Sequence, residues 1–473
     1  MYCRIASYRF TTAVNPRYEM PDKLYFGGGG DTFGTPLAVP ILIIGMLLVF
    51  AVPRRYVIVP LLVAGLLIPV PVTLVVGGFH FNAFRLLLLA GWLRVLLRRE
   101  TRFGRVIQLD KILVAWAISG AVMFCVLWGW GAISNRLGFL YTTLGSYFLM
   151  RCVIRDKGDV LRLVKTLAIF LVALTPFLIW EHVTAHNALS VLGAQEASAI
   201  RNGDVRAQGP FLHPIICGTL GAMLLPIFIG LWWQGGRDRL VGAVGVVSSL
   251  AITIVSASST PVMTLAAGLA GILLWPARRH LRWLRWGSVI TLIGLHFLMK
   301  APVWYLIARV GAATGGSGWH RATLIDNFFA HFGEWWLCGT RNNADWGYYM
   351  WDVDNAFVNN GLQGGLVTFL LFIALFVYGF KLLGRARRKS ERSPHDARLI
   401  WAIGCALFAN ATAFFGIFYF DQSILAWYGL LAMIPAAGTL ATNSKFERLS
   451  EVASARGLDL RSPLHEENPA PAF

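Results

Sequence analysis

Arg206, Arg321, Asp354, His213 and His320 are the side chains whose types and neighbours suggest chemistry. Arg206 opens the segment RAQGPFLHP (206–214), in which Gly209-Pro210 and His213-Pro214 interrupt a helix start. A cation beside a broken helix N-terminus suits an anion, because free amide N–H groups and the helix dipole add to its charge. His213 reads either as a catalyst or as a buried, hydrogen-bonded ring. Arg321 and His320 lie in GSGWHRATLIDNFF (316–329), with Leu324, Ile325 and Phe328 at helical spacing. That run fits a helix lying along a membrane surface, and it equally fits a solvated helix face. Asp354-Asn355 stands at the mouth of the next apolar run, as a working acid or as an N-cap.

Other ionisable groups sit within or beside apolar runs: Arg85 in FNAFRLLLLAGW (81–92), Arg94, Arg136, Glu181-His182. A charge inside a bilayer costs at least about 2.5 kcal/mol, so each needs a partner or a watery surrounding. Arg94 and Arg136 read as snorkelling at helix ends. Arg85 lies too far from the inner end for that, and Glu181 is its candidate partner. Trp335, Trp336, Trp346 and Tyr348 suit stacking against sugar rings or an interfacial aromatic belt.

The elements that must hold these groups are membrane helices. Of 473 residues 56% are hydrophobic and only 14% charged, too few charges for a soluble domain. Thirteen apolar runs between residues 37 and 441 point to an all-α, polytopic protein of about 12–13 transmembrane helices. The net charge of +18 is concentrated in short connections at 54–55, 98–105, 155–165, 278–282 and 384–398. Their alternation with basic-poor connections marks the cytoplasmic side, so the excess is topology and not a nucleic-acid footprint.

This reading gives a polar N-terminal segment (1–36) and one membrane domain (37–441). The domain carries outer loops at 184–209 and 301–355, the second of them large. A polar, disordered cytoplasmic tail follows (442–473). Most of the cysteines lie in or beside apolar runs, as small fillers do. No Cys/His metal spacing occurs, and no metal or other cofactor is expected.

The motifs also have an order. Arg-x-x-Gly-x-Phe-x-His-Pro (206–214) precedes the Ser-rich SASSTP (256–261). Then come the long loop with Arg321, Leu-x-Gly (337–339), Asp-Asn-x-Phe (354–357), Gly361 and Gly364-Gly365. In that order and setting the chain resembles the O-antigen ligase and polysaccharide polymerase family of bacterial envelope proteins, over roughly residues 37–441. The resemblance implies a metal-independent glycosyltransferase of the bacterial inner membrane, with its large loop outside. Its donor would be a polyprenyl-diphosphate-linked oligosaccharide and its acceptor a glycan or lipid. Membrane lipid and other polysaccharide-assembly proteins would be its surroundings.

Two departures stand out. SASSTP lacks the arginine that many members carry, and Asp354 stands where ligases commonly have histidine. The second favours a polymerase. Arg206, Arg321 and Arg85 would then clamp the diphosphate, since guanidinium groups pair with phosphate oxygens through parallel donors. Asp354 would be the base, with His320 and His213 as alternatives. Asn355, Glu181 and Trp335 complete the candidate set as substrate contacts. A secondary transporter or a flippase for lipid-linked oligosaccharide also uses intramembrane arginines and broken helices. Against it, no inverted repeat or paired midplane acids are visible.

Overall fold

The computed structural model describes residues 32–438 except 77–78, 102–105 and 314–316. The tail expected to be disordered, and nearly all of the polar N-terminal segment, lie outside the described residues. The fold is mostly helical. Five helices are long and apolar enough to cross a membrane: α4 (Gln108–Trp128), α6 (Lys157–Thr184), α7 (Pro214–Trp232), α8 (Gly236–Val255) and α14 (Ala356–Lys389). A sixth crossing is available if Leu281–Leu298 (α10) and Val303–Arg309, bent by 97° at their junction, count together.

The remaining apolar runs fold into pieces that fall short on length or composition. They give α1 (Ala38–Ala51), α2 (Ile58–Leu67), α3 (Ala83–Leu97), α5 (Ile133–Val153), α9 (Ser259–Leu273), α15 (Pro394–Ala413) and α16 (Ile424–Gly438). The run at 56–77 stops as a helix at Leu67 because Pro69 and Pro71 follow. The next run begins as a hairpin, β1 (Thr73–Val76) paired antiparallel with β2 (Phe79–Asn82). A second antiparallel hairpin, β3 (Ala199–Arg201) with β4 (Asp204–Arg206), occupies the shorter expected loop.

Helix α7 is the axis of the bundle, buried along almost its whole length and packed on α8, α9 and α15. Small residues permit that closeness, as they do generally between membrane helices. A Cβ on Gly221 would sit 3.1 Å from the Ser249 carbonyl oxygen of α8. One on Gly268 of α9 would sit 2.8 Å from Pro226 of α7. Arg94, expected to snorkel, is instead fully buried: its guanidinium donates to Val49 O (2.5 Å) and Val52 O (2.6 Å) at the α1 C-terminus. Glu100 closes the arrangement with a 3.0 Å ion pair.

The expected large loop is a small helical layer. It comprises α11 (Leu306–Ala313), α12 (Gly318–Ala330) and α13 (Phe332–Trp335). This layer has its own core, in which Leu324, Ile325, Phe328, Trp335, Trp346, Met350 and Val353 pack against Val358 and Leu362 of α14.

Helix α14 is not a straight rod. At Gly365 φ is +70° and ψ −173°, and the ring of Phe357 lies 5.4 Å from that of Phe372 and 5.9 Å from that of Phe376. Fifteen residues of straight helix would separate Phe357 and Phe372 by about 22 Å. The first two turns therefore fold back on the rest as a short arm. Leu-x-Gly docks into the break, with Leu366 N donating to Trp336 O (2.8 Å) and Thr340 N to Leu362 O (2.9 Å). Gly339 and Gly365 leave no room for a side chain there, since a Cβ on either would run into the backbone opposite. The fold-back takes Asp354-Asn355 away from the loop end of α14. Their place is beside the C-terminus of α15, where Ala356 N donates to Phe414 O (2.8 Å).

Candidate functional site

The segment after β4 is fixed from several sides. Glu181 of α6, fully buried, accepts from Gln208 N (3.0 Å), Gly209 N (2.8 Å) and Ser198 Oγ (3.0 Å). Gly209 takes φ +57°, which suits its lack of a Cβ. Ala207 N donates to Val255 O (3.0 Å), Leu212 N to Asp421 Oδ2 (3.2 Å), and Gln422 Nε2 to Pro210 O (2.7 Å). The strand thus ends with Arg206 turned into the protein, 6% exposed. Glu181 is a positioning residue: its carboxylate is spent on the backbone that delivers Arg206. The expected Glu181–Arg85 pair does not form.

Opposite Arg206, the chain breaks between α8 and α9. Ala257 adopts φ +41°, Ser258 is extended, and α9 starts at Ser259. Arg206 Nη2 donates to Ser258 Oγ at 2.7 Å. Arg321 arrives from α12, 1% exposed. Its Nη1 donates to Ser259 Oγ (3.4 Å), its Nη2 to Gly416 O (3.3 Å), and its Nε to Asp354 Oδ2 (2.8 Å). Two guanidinium groups from distant parts of the sequence therefore rest on adjacent serines at one helix N-terminus, with Asp354 against the second.

Three polar atoms here are buried without a partner among the described residues: Arg206 Nε, Asp354 Oδ1 and Asn355 Nδ2. Orphaned buried groups are costly, and each calls for an explanation. Arg321 pairs with Asp354, while Arg206 rests on Ser258 with no ion pair among the described residues, which leaves one positive charge in excess. Burial, with Arg201 nearby, pushes Arg206 down to about 10, so it still carries its charge at neutral pH. Burial raises the Asp354 carboxyl above its ordinary 3.8, with Arg321 pulling the other way. A raised carboxyl is a better proton acceptor near neutrality.

The remaining candidates separate. His213 caps α7: its Nδ1 accepts from Ile215 N (3.1 Å), so the ring proton is on Nε2. Burial first, then Arg206 and Arg201, push it down to about 4. It is a neutral donor, and with its only lone pair engaged it has no basic nitrogen to offer. His320 Nε2 lies 2.8 Å from Asp352 O and therefore carries its proton, which leaves Nδ1 basic. Asn355 is the N-cap of α14, with Oδ1 accepting from Phe357 N (2.9 Å) and Val358 N (3.1 Å).

Trp335 is a core residue, 1% exposed, stacked 3.9 Å from Phe328 and donating Nε1 to Phe328 O. No face of that ring is left for a sugar. Arg85 does not join the other two arginines. It donates to His80 O (2.9 Å) and Thr142 Oγ1 (3.3 Å), against α5.

Sequence reasoning missed Ser258, Ser259 and Gly416 as individual residues. The run of small hydroxyls between two apolar helices was the available signal for the serines. Gly416 had none. A Cβ there would lie 2.8 Å from Thr260 Oγ1 and 2.9 Å from Arg321 Cζ, so its bareness admits the guanidinium. No protein-family model matches this chain, and no curated protein is significantly similar to it.

Proposed function

We propose that this chain is a membrane glycosyltransferase that extends or transfers a polyprenyl-diphosphate-linked oligosaccharide, a polymerase in preference to a ligase. The observation that carries the reading is the meeting of buried Arg206 and Arg321 on Ser258-Ser259, with Asp354 Oδ1 unsatisfied beside them. An excess positive charge in a dry site suits the diphosphate leaving group, whose negative charge grows as the glycosidic bond to it breaks. Arg206 Nε is the free donor, and the opening amides of α9 add to it.

In this mechanism the acceptor hydroxyl oxygen bonds to the anomeric carbon as the carbon–oxygen bond to the diphosphate breaks. The electron pair leaves on the diphosphate, and the hydroxyl proton passes to Asp354 Oδ1. His320, half-buried next to Asp352, is the alternative acceptor through Nδ1. In the same reading the short apolar helices count as crossings of the bacterial inner membrane, and the α11–α13 layer lies outside it. The family resemblance and the basic connections support that topology.

Replacement of Arg206 or Arg321 by Ala tests the reading in the native host, with surface polysaccharide resolved by electrophoresis. Long chains should vanish while the protein remains inserted. Unchanged long-chain product from both variants would remove the clamp from the mechanism. A deletion strain separates the two activities: single repeat units on the lipid carrier mark a polymerase, whereas full-length polymer retained on its carrier marks a ligase.

A further inference from the structure

The folded-back arm of α14 carries amides that the proposed chemistry does not use. Asn355, Asn359 and Gln363 are spaced by four residues and so share one helix face. The row begins beside Asp354 and ends about 12 Å further along the arm. Gln363 Nε2 donates to Asn359 Oδ1 (2.9 Å), and Gln363 Oε1 accepts from Arg136 Nη1 of α5 (3.4 Å). Asn359 and Gln363 are half-buried, and no hydrogen bond from the Asn359 amide nitrogen is formed among the described residues. At the inner end, Asn355 Nδ2 is buried and unpaired.

Two rings of α4 seat arginines. The Arg136 guanidinium lies 3.6 Å over Phe124, and half-exposed Trp128 faces Arg341 at 5.7 Å. Asn360 differs from its neighbours. It joins α4 to the arm by accepting from Trp116 Nε1 (2.7 Å) and donating to Ala356 O (2.8 Å), as interhelical amides do in membranes. Packing therefore accounts for Asn360, and the link to Arg136 engages Gln363, but nothing engages the Asn359 amide nitrogen among the described residues.

We infer that Asn359, Gln363 and Arg136 form a subsite for hydroxyl-bearing sugar residues, leading a glycan from the outer rim to Asp354. Side-chain amides offer donor and acceptor together, as vicinal hydroxyls require. The row's length suits an oligosaccharide and not a single sugar. The inference rests on the glycosyltransferase reading, and it deepens it by naming what the acceptor side of the site holds.

The test uses the full-length protein in detergent and two probes: inorganic pyrophosphate, and free repeat-unit oligosaccharide released from the host's own surface polysaccharide. The double variant Asn359→Leu, Gln363→Leu should weaken oligosaccharide binding about tenfold or more, each amide contributing one or two hydrogen bonds. Pyrophosphate binding should not change. Gln363→Met, nearly isosteric and easily folded, should show part of the same loss. Equal oligosaccharide affinity in the wild type and both variants would overturn the subsite, as would a wild type that binds none. Absence of pyrophosphate binding to the wild type counts instead against the diphosphate clamp, and the oligosaccharide measurements still decide the subsite.

Discussion

Meeting at one helix N-terminus, that of α9, is what sets Arg206, Arg321 and Asp354 apart. Arg321 and Asp354 were legible in the sequence as members of ordered motifs, and Arg206 also because charge near apolar helices is costly, so its position invites explanation. The same reasoning over-reached with Arg85 and Glu181, whose costs are met by neighbouring backbone and by α5 rather than by each other. Sequence shows that a charge needs a partner, but not which one. Because burial holds the Asp354 carboxyl above its ordinary 3.8, transfer should fall on acidification through a limb above that value, as the base becomes protonated. Folding has the opposite sign. A carboxyl raised in the folded state favours that state when protonated, and this contribution is lost as pH rises through the raised value. Asp354→Asn should remove the acid limb along with nearly all turnover, measured with purified protein and lipid-linked donor. An unchanged limb in a still-active Asn variant would pass the base to His320.

Helices were easier to foresee than their ends. Apolar runs marked where helices occur, yet hydropathy is blind to a segment that doubles back, and α14 turns at Gly365, just before its most apolar stretch. Gly364-Gly365 and Leu-x-Gly were visible as motifs. What they do, a loop backbone lying against a broken helix, emerges only when both are placed. Helix lengths were hidden likewise, because Pro69 and Pro71 cut one run short and the β1–β2 hairpin stands before α3. Gly365→Ala is the informative change here. It demands φ +70° of a residue with a Cβ and drives that Cβ against the Leu337 carbonyl. Strain of this kind costs on the order of 1–3 kcal/mol or more. The variant should lower the thermal unfolding midpoint in detergent, and it should depress transfer even where the protein still folds, since the arm carries Asn355. Gly416→Ala should spare the midpoint more but strike activity, because its methyl meets the Arg321 guanidinium directly. If Gly416→Ala keeps full transfer, the seat described for Arg321 is wrong.

Across the molecule, helix ends meet at one place: the N-termini of α7, α9 and α14 and the C-termini of α8 and α15 gather around the two arginines. Beyond them the long arm of α14 continues from Gly365 to Lys389, about 36 Å of helix, enough to cross a bilayer alone. The α11–α13 layer caps one end of it and the basic run at 384–398 occupies the other. If the positive charges face the cytoplasm, the two ends must lie on opposite sides of the membrane. Tyr348, 84% exposed in the capping layer, and Lys389, exposed at the far end, report on each side. In a background with Cys338 replaced by Ser, Tyr348→Cys should react with an impermeant maleimide on intact cells. Lys389→Cys should react only after the inner membrane is opened. Labelling of both before permeabilisation would mean that α14 does not cross. Labelling of Lys389→Cys alone on intact cells would put the site on the wrong side for a lipid-linked donor, however well its arginines are placed.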